Sequence, residues 1–381
     1  MTDLKYKSDF DEMKNRIEAW WEGEILDRVP LKVTAPNEDI PGAEGWIFST
    51  AFPLACGDGR IFSDEQESDV GDLEDYFTNP QKVIPRVEKL IEKTYWGGEA
   101  FPVMFPVPVN IVAILAAYLG CPVQYVDKNA VWLKPMEGQW ENRKRFDFDT
   151  NHPLWQKTKK LLETASQKAV GKYIPAIPDL NGPGEILSLL REHTKTCFDI
   201  IENPQSIKQA MREINDAWFE CWQACHDIIQ PSTGSYTNVF TIWSEKPLTD
   251  LQCDFSCLIS PEDFNELFLP FIEEQTERID RSIYHLDGPD AIKHVDSLLA
   301  LPKLDGIQWI PGAGSPKMTD WMPLLHKIQN AGKKLVLLCE KTEVEQLVKE
   351  LKPEGVLLET TCGSADEAEQ LLSNVKKWMS K

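Results

Sequence analysis

Apolar residues along this chain fall into short runs separated by longer stretches with helical spacing. The runs cover 30–35, 101–107, 173–178, 236–243, 282–287, 306–311, 334–340 and 355–361, giving eight candidate strands. They are largely apolar, as expected of strands buried on both faces of a parallel sheet. Between them, 154–169 and 207–229 repeat their apolar positions near every 3.6 residues. Asn203-Pro204 marks the start of the second stretch. Ser260-Pro261-Glu262-Asp263 combines an N-cap, a Pro at the first helical position and an acidic first turn. Segments 342–351 and 365–379 close the series. Strands alternating with helices predict a parallel sheet, because parallel neighbours need long crossover connections. Eight such units predict a closed (β/α)8 TIM barrel, with an open doubly wound sheet as the second arrangement. Nothing reads as a linker, so residues 1–381 are expected to form a single domain with an N-terminal helical extension. The weakly periodic segments 48–78 and 123–152 read as rim insertions.

Composition narrows the partners. Lys plus Arg number 40 against 61 Asp plus Glu, a net charge of −21. That balance argues against nucleic acid or an anionic membrane as a partner. The polar start Met1-Thr2-Asp3-Leu4-Lys5 does not resemble a signal peptide, and no apolar run is long enough to span a bilayer. The nine cysteines read as reduced thiols, so a cytoplasmic location is expected.

In a barrel of this kind chemistry gathers at the C-terminal ends of the strands. The predicted ends carry Asp179, Trp243 with Glu245, His285 with Asp287, Trp309, Glu340 and Cys362. His285 and Asp287 are two apart, so on a strand both point to one side. Imidazole beside carboxylate suits metal binding or acid–base work. Each residue also has a plain structural reading. Asp287 precedes Gly288 and could be turn chemistry. Cys362 could be a buried small hydrophobe. Asp179 before Asn181-Gly182 could likewise shape a turn. Trp243 and Trp309 could wall an aromatic or methylammonium substrate, with Asn181 as a further substrate contact. The chain has no Gly-x-Ser-x-Gly nucleophile elbow.

Several motifs, taken in order, resemble the uroporphyrinogen decarboxylase superfamily and, within it, the zinc-dependent corrinoid methyltransferases. They are Arg16-Ile17-Glu18-Ala19-Trp20-Trp21, Asp27-Arg28-Val29-Pro30, Asp179-Leu180-Asn181-Gly182-Pro183, Glu202-Asn203-Pro204 and Ile259-Ser260-Pro261-Glu262-Asp263-Phe264. Tyr284-His285-Leu286-Asp287-Gly288, Ile307-Gln308-Trp309-Ile310-Pro311-Gly312-Ala313-Gly314 and Thr361-Cys362-Gly363 follow. The resemblance implies a barrel with zinc held by a His-x-Cys pair and a later Cys. His285 and Cys362 match two of these positions, and Asp287 stands where the relatives have Cys. The implied ligand set is therefore His285, Asp287 and Cys362. A carboxylate is a harder ligand than a thiolate and leaves the ion more Lewis acidic. Transfer of a methyl group between a small methylated O- or N-compound and a corrinoid protein is thus favoured over activation of a thiol. Asp254 and Glu340 would orient or protonate the leaving group. The alternative is a metal-free decarboxylase or lyase of the same superfamily using Asp179 and Asp254. That branch grips substrate carboxylates with an N-terminal arginine cluster, of which this chain has only Arg28.

Overall fold

A computed structural model describes residues 4–43, 71–105, 113–127, 130–138 and 140–379. Its strands in chain order are β1 (Leu31–Pro36), β2 (Thr94–Gly98), β3 (Val103–Met104), β4 (Val123–Asp127), β5 (Ala130–Leu133), β6 (Ile174–Pro175) and β7 (Tyr236–Thr237). They continue with β8 (Trp243–Ser244), β9 (Leu248–Gln252), β10 (Arg281–Asp287), β11 (Gly306–Ile310), β12 (Lys334–Leu338) and β13 (Val356–Thr361). The main sheet has the order β2-β1-β13-β12-β11-β10-β9. Its strands β1 and β9 to β13 run parallel, and β2 joins β1 antiparallel. A separate parallel pair, β3 with β6, lies apart from this ladder. The chain is thus an α/β fold with a mostly parallel sheet and many helices. The expected closed ring is not completed by strand hydrogen bonds among the described residues.

Seven of the eight predicted runs contain parallel strands; the exception is 236–243. There the chain forms the hairpin β7–β8 around a buried loop, with Thr241 in the left-handed region at φ 50°. The sheet strand is β9 instead, Leu-Thr-Asp-Leu-Gln. It carries polar residues at alternate positions, so it does not stand out as an apolar run. The antiparallel β2 was likewise not foreseen.

The parallel strands bury both faces. Leu31, Val33, Tyr284, Leu286, Ile307, Trp309, Leu335 and Leu337 belong to one cluster, which also holds Val295, Leu325, Leu347 and Val375 of the covering helices. Ile283, Val336 and Leu357 face a second cluster with Phe10, Met13, Ile17 and Trp20 of the N-terminal helix Phe10–Trp21. That helix covers the ends where the strands begin. The predicted helices form close to their expected limits. Asn203 caps Pro204–Thr233, and Ser260 caps Pro261–Leu267 through its side chain. The insertion at 123–152 contains the hairpin β4–β5. In the other, 48–70 lies outside the described residues and Leu73–Thr78 is helical.

Candidate functional site

Strand parity builds the site. β10 alternates Ile283, His285 and Asp287 on the inner face against Tyr284 and Leu286 on the outer one. Gln252 of β9 and Gln308 of β11 flank His285 in register. Gln308 Oε1 lies 2.7 Å from His285 Nδ1, so that nitrogen donates and the ring orientation is fixed. The Phe240 ring packs against the imidazole with centroids 5.7 Å apart. Asp254 enters from the short 3-10 turn Asp254–Leu258, which follows β9. One ligand atom from each of Asp254, His285 and Asp287 lies within 4.8 Å of the others.

The cluster is acidic beyond these three. Burial pushes the Asp254 carboxyl up to about 6, with Glu185 and Asp287 adding to the rise and His285 opposing it. Burial also lifts Asp250, on β9, to about 6. Asp179 rises furthest, to about 8, through burial and then the charge of Asp250. Its Oδ1 accepts from the Asn181 N–H at 2.8 Å and from Gln252 Nε2 at 3.2 Å.

A tight loop brings Asp179 to this place. Asn181 adopts φ 58°, and its carbonyl accepts from Trp218 Nε1 at 2.8 Å. A Cβ on Gly182 would lie 1.7 Å from the Gln252 carbonyl oxygen, so only glycine lets the loop press against β9. Asn181 is buried and works through its backbone and its bond to Gly182 N–H.

Four of the expected residues lie elsewhere. Trp309 points outward onto Trp321, with ring centroids 5.0 Å apart, because its neighbour Gln308 takes the inward position. Trp243 sits before β9, where its carbonyl accepts from Trp21 Nε1 at 3.0 Å, so it packs at the strand-entry end. Glu340 is exposed, 3.6 Å from Lys317 Nζ. It lines a cleft of about 670 Å³ together with Cys362, Cys339, Met318 and Pro311. None of Asp254, His285 and Asp287 lines this cleft. Cys362 leaves β13, which β11 and β12 separate from β10, a span of roughly 14 Å along the sheet at about 4.8 Å per strand. Burial pushes its thiol up to about 11. The structure therefore gathers His285, Asp287 and Asp254 and leaves Cys362 outside the group.

Gln308, Asp250 and Gln252 were missed in the sequence. Gln308 was legible from parity, since it sits one residue before an outward Trp. Arg28, the arginine weighed as a grip for substrate carboxylates, is committed to buried Glu99 through bonds of 2.6 and 2.8 Å.

The described residues contain no helix long and apolar enough to cross a membrane. No family model matches the sequence, and no curated protein matches it. Among solved structures the fold is similar to a methyltransferase from Methanosarcina mazei, with a TM-score of 0.60 and 13% sequence identity. That similarity covers 97% of this chain and 99% of the other.

Proposed function

We propose that this chain is a methyltransferase that moves a methyl group between a small methylated O- or N-compound and a corrinoid carried by a partner protein. The observation that carries the reading is the gathering of His285, Asp287 and Asp254 at the strand exits of a fold shared end to end with a methyltransferase.

The residues fit a divalent cation. Imidazole and carboxylate are zinc ligands, and Gln308 supplies the hydrogen bond that commonly orients a metal-bound histidine. A cation held by His285 and Asp287 would supply Lewis acidity, drawing electron density from the donor heteroatom. The chain's own groups do the rest. The Asp179 carboxyl, whose hold on a proton burial strengthens, can donate to the heteroatom as the methyl carbon departs. A reduced corrinoid brought by the partner would supply the electron pair that accepts the methyl group, and the pair of the broken bond would stay on the heteroatom. Phe240 closes the floor beneath His285 and excludes water. The corrinoid has to approach from the strand-exit face, because the helix Phe10–Trp21 covers the opposite end.

The test incubates the purified chain with chemically reduced cobalamin and a panel of methyl ethers and methylamines. Formation of the methylcobalamin spectrum with at least one donor, lost in His285→Ala, is the expected outcome. No methylation from any donor, or equal rates in His285→Ala, removes the proposal.

A further inference from the structure

We propose that the cation site is free of thiolate: Asp254 is its third protein ligand, and Cys362 takes no part. The inference rests on the cation-binding half of the proposed function and changes what kind of ion, and what kind of donor atom, the site suits.

The geometry favours Asp254 on three grounds. The first is register. Gln252 pairs with His285 across β9 and β10, so the residue two beyond Gln252 arrives beside the residue two beyond His285. Those residues are Asp254 and Asp287, and their ligand atoms lie within 4.8 Å of each other and of the imidazole. The second is hydrogen bonding. Asp254 Oδ1 is buried without a hydrogen-bond partner, an arrangement that is unfavourable, the more so for a charged oxygen. A cation would satisfy it. The third is charge. Among the described residues the charges acting on Asp254 are those of His285, Asp287 and a further carboxylate, Glu185, with no Lys or Arg among them. Half-buried Asp254 and the more open Asp287 therefore face one another with only the His285 imidazole between them, and a metal ion would balance their charge.

Cys362 has none of these properties. It lies beyond β11 and β12 from His285, in a cleft lined by other residues. Its neighbours there are Glu340, Lys341 and Gly363 rather than the His285 group.

One nitrogen and two oxygens form a set of borderline-to-hard donors. Such a set suits Zn²⁺, Co²⁺, Fe²⁺ or Mn²⁺ and leaves positions open for substrate. With no thiolate donating charge, the ion polarises a bound oxygen or nitrogen more strongly. The site thereby favours methyl ethers and methylamines over thioethers.

Cobalt(II) is the probe. The metal-free chain titrated with Co²⁺ should bind a single ion and show visible ligand-field absorption without the intense near-ultraviolet thiolate-to-cobalt band. Cys362→Ser should leave both spectrum and affinity unchanged, whereas Asp254→Asn should weaken Co²⁺ binding more than about tenfold. A thiolate band that Cys362→Ser abolishes would overturn the proposal, and so would failure to bind Co²⁺ or unaltered affinity in Asp254→Asn. The wild-type spectrum and the Cys362→Ser titration decide the matter even if Asp254→Asn folds poorly. The readout is independent of turnover. This metal pattern without methyl transfer sinks only the functional reading, and methyl transfer with a thiolate band sinks only this one.

Discussion

Gln308 shows how much one side chain settles. Its Oε1 holds His285 Nδ1 at 2.7 Å, while its Nε2 is buried without a partner. Gln308→Ala removes the bond that aims the imidazole, so metal affinity should fall by about 10- to 100-fold with the ligands intact. Equilibrium dialysis of Zn²⁺ against wild type would check it, and an unchanged constant would show that packing against Phe240 is enough to hold the ring. His226 makes a different kind of prediction. It is buried between Trp222 and Tyr236, with ring centroids at 4.2 and 4.9 Å, and neither ring nitrogen has a hydrogen-bond partner. Burial lowers its pKa from 6.5 to about 3. The unfolded chain then takes up a proton near pH 6.5 while the folded chain does not. Stability is unaffected above that pH and declines below it, approaching about 1.4 kcal/mol per pH unit. His226→Phe should flatten this slope. Urea midpoints of the two proteins should diverge progressively as pH drops from about 7 to about 4.5.

At the scale of elements, parity decided what could be read in advance. The His285–Asp287 pair was legible because period two on a strand is rigid geometry. The same rule, carried one strand further, would have turned Trp309 outward and Gln308 inward. Trp243 was misplaced for another reason. The apolar run at 236–243 imitates a strand, but it lines the interior as a loop and hairpin. The true strand β9 holds Asp250 and Gln252, whose polarity serves the site and, with Thr249 on the other face, hides the strand. Asp254 was named in advance, but as an acid. Its proximity to His285 depends on the β9–β10 register, which no local pattern contains. The loop before helix Pro183–Arg191 also depends on a long-range contact, the approach of Gly182 to Gln252. Gly182→Ala should therefore force the loop off β9. The expected cost is about 1–3 kcal/mol, seen as a lower melting temperature, together with a large loss of methyl transfer as Asp179 moves. A variant with wild-type melting would show that the loop yields without strain.

For the molecule as a whole, the two ends of the parallel ladder's chain path meet at β1 and β13, and a buried ion pair marks that seam. Lys32 Nζ lies 2.6 Å from Glu359 Oε2, with both side chains almost fully buried. Lys32 also donates to the Phe240 carbonyl at 2.6 Å and to Thr241 Oγ1 at 2.9 Å. It therefore ties the seam to the interior loop whose Phe240 supports His285. Removing one partner of such a pair strands a buried charge and costs about 3–5 kcal/mol, whereas replacing both by apolar groups of similar volume is often neutral. Lys32→Met should accordingly lower the urea midpoint sharply, and adding Glu359→Leu should restore most of it. The double variant would still lack the two bonds to the loop. If those bonds position Phe240, it should recover stability without recovering metal affinity. Recovery of both would reduce Lys32 to a partner for Glu359, and recovery of neither would mean that the seam needs its charges to close.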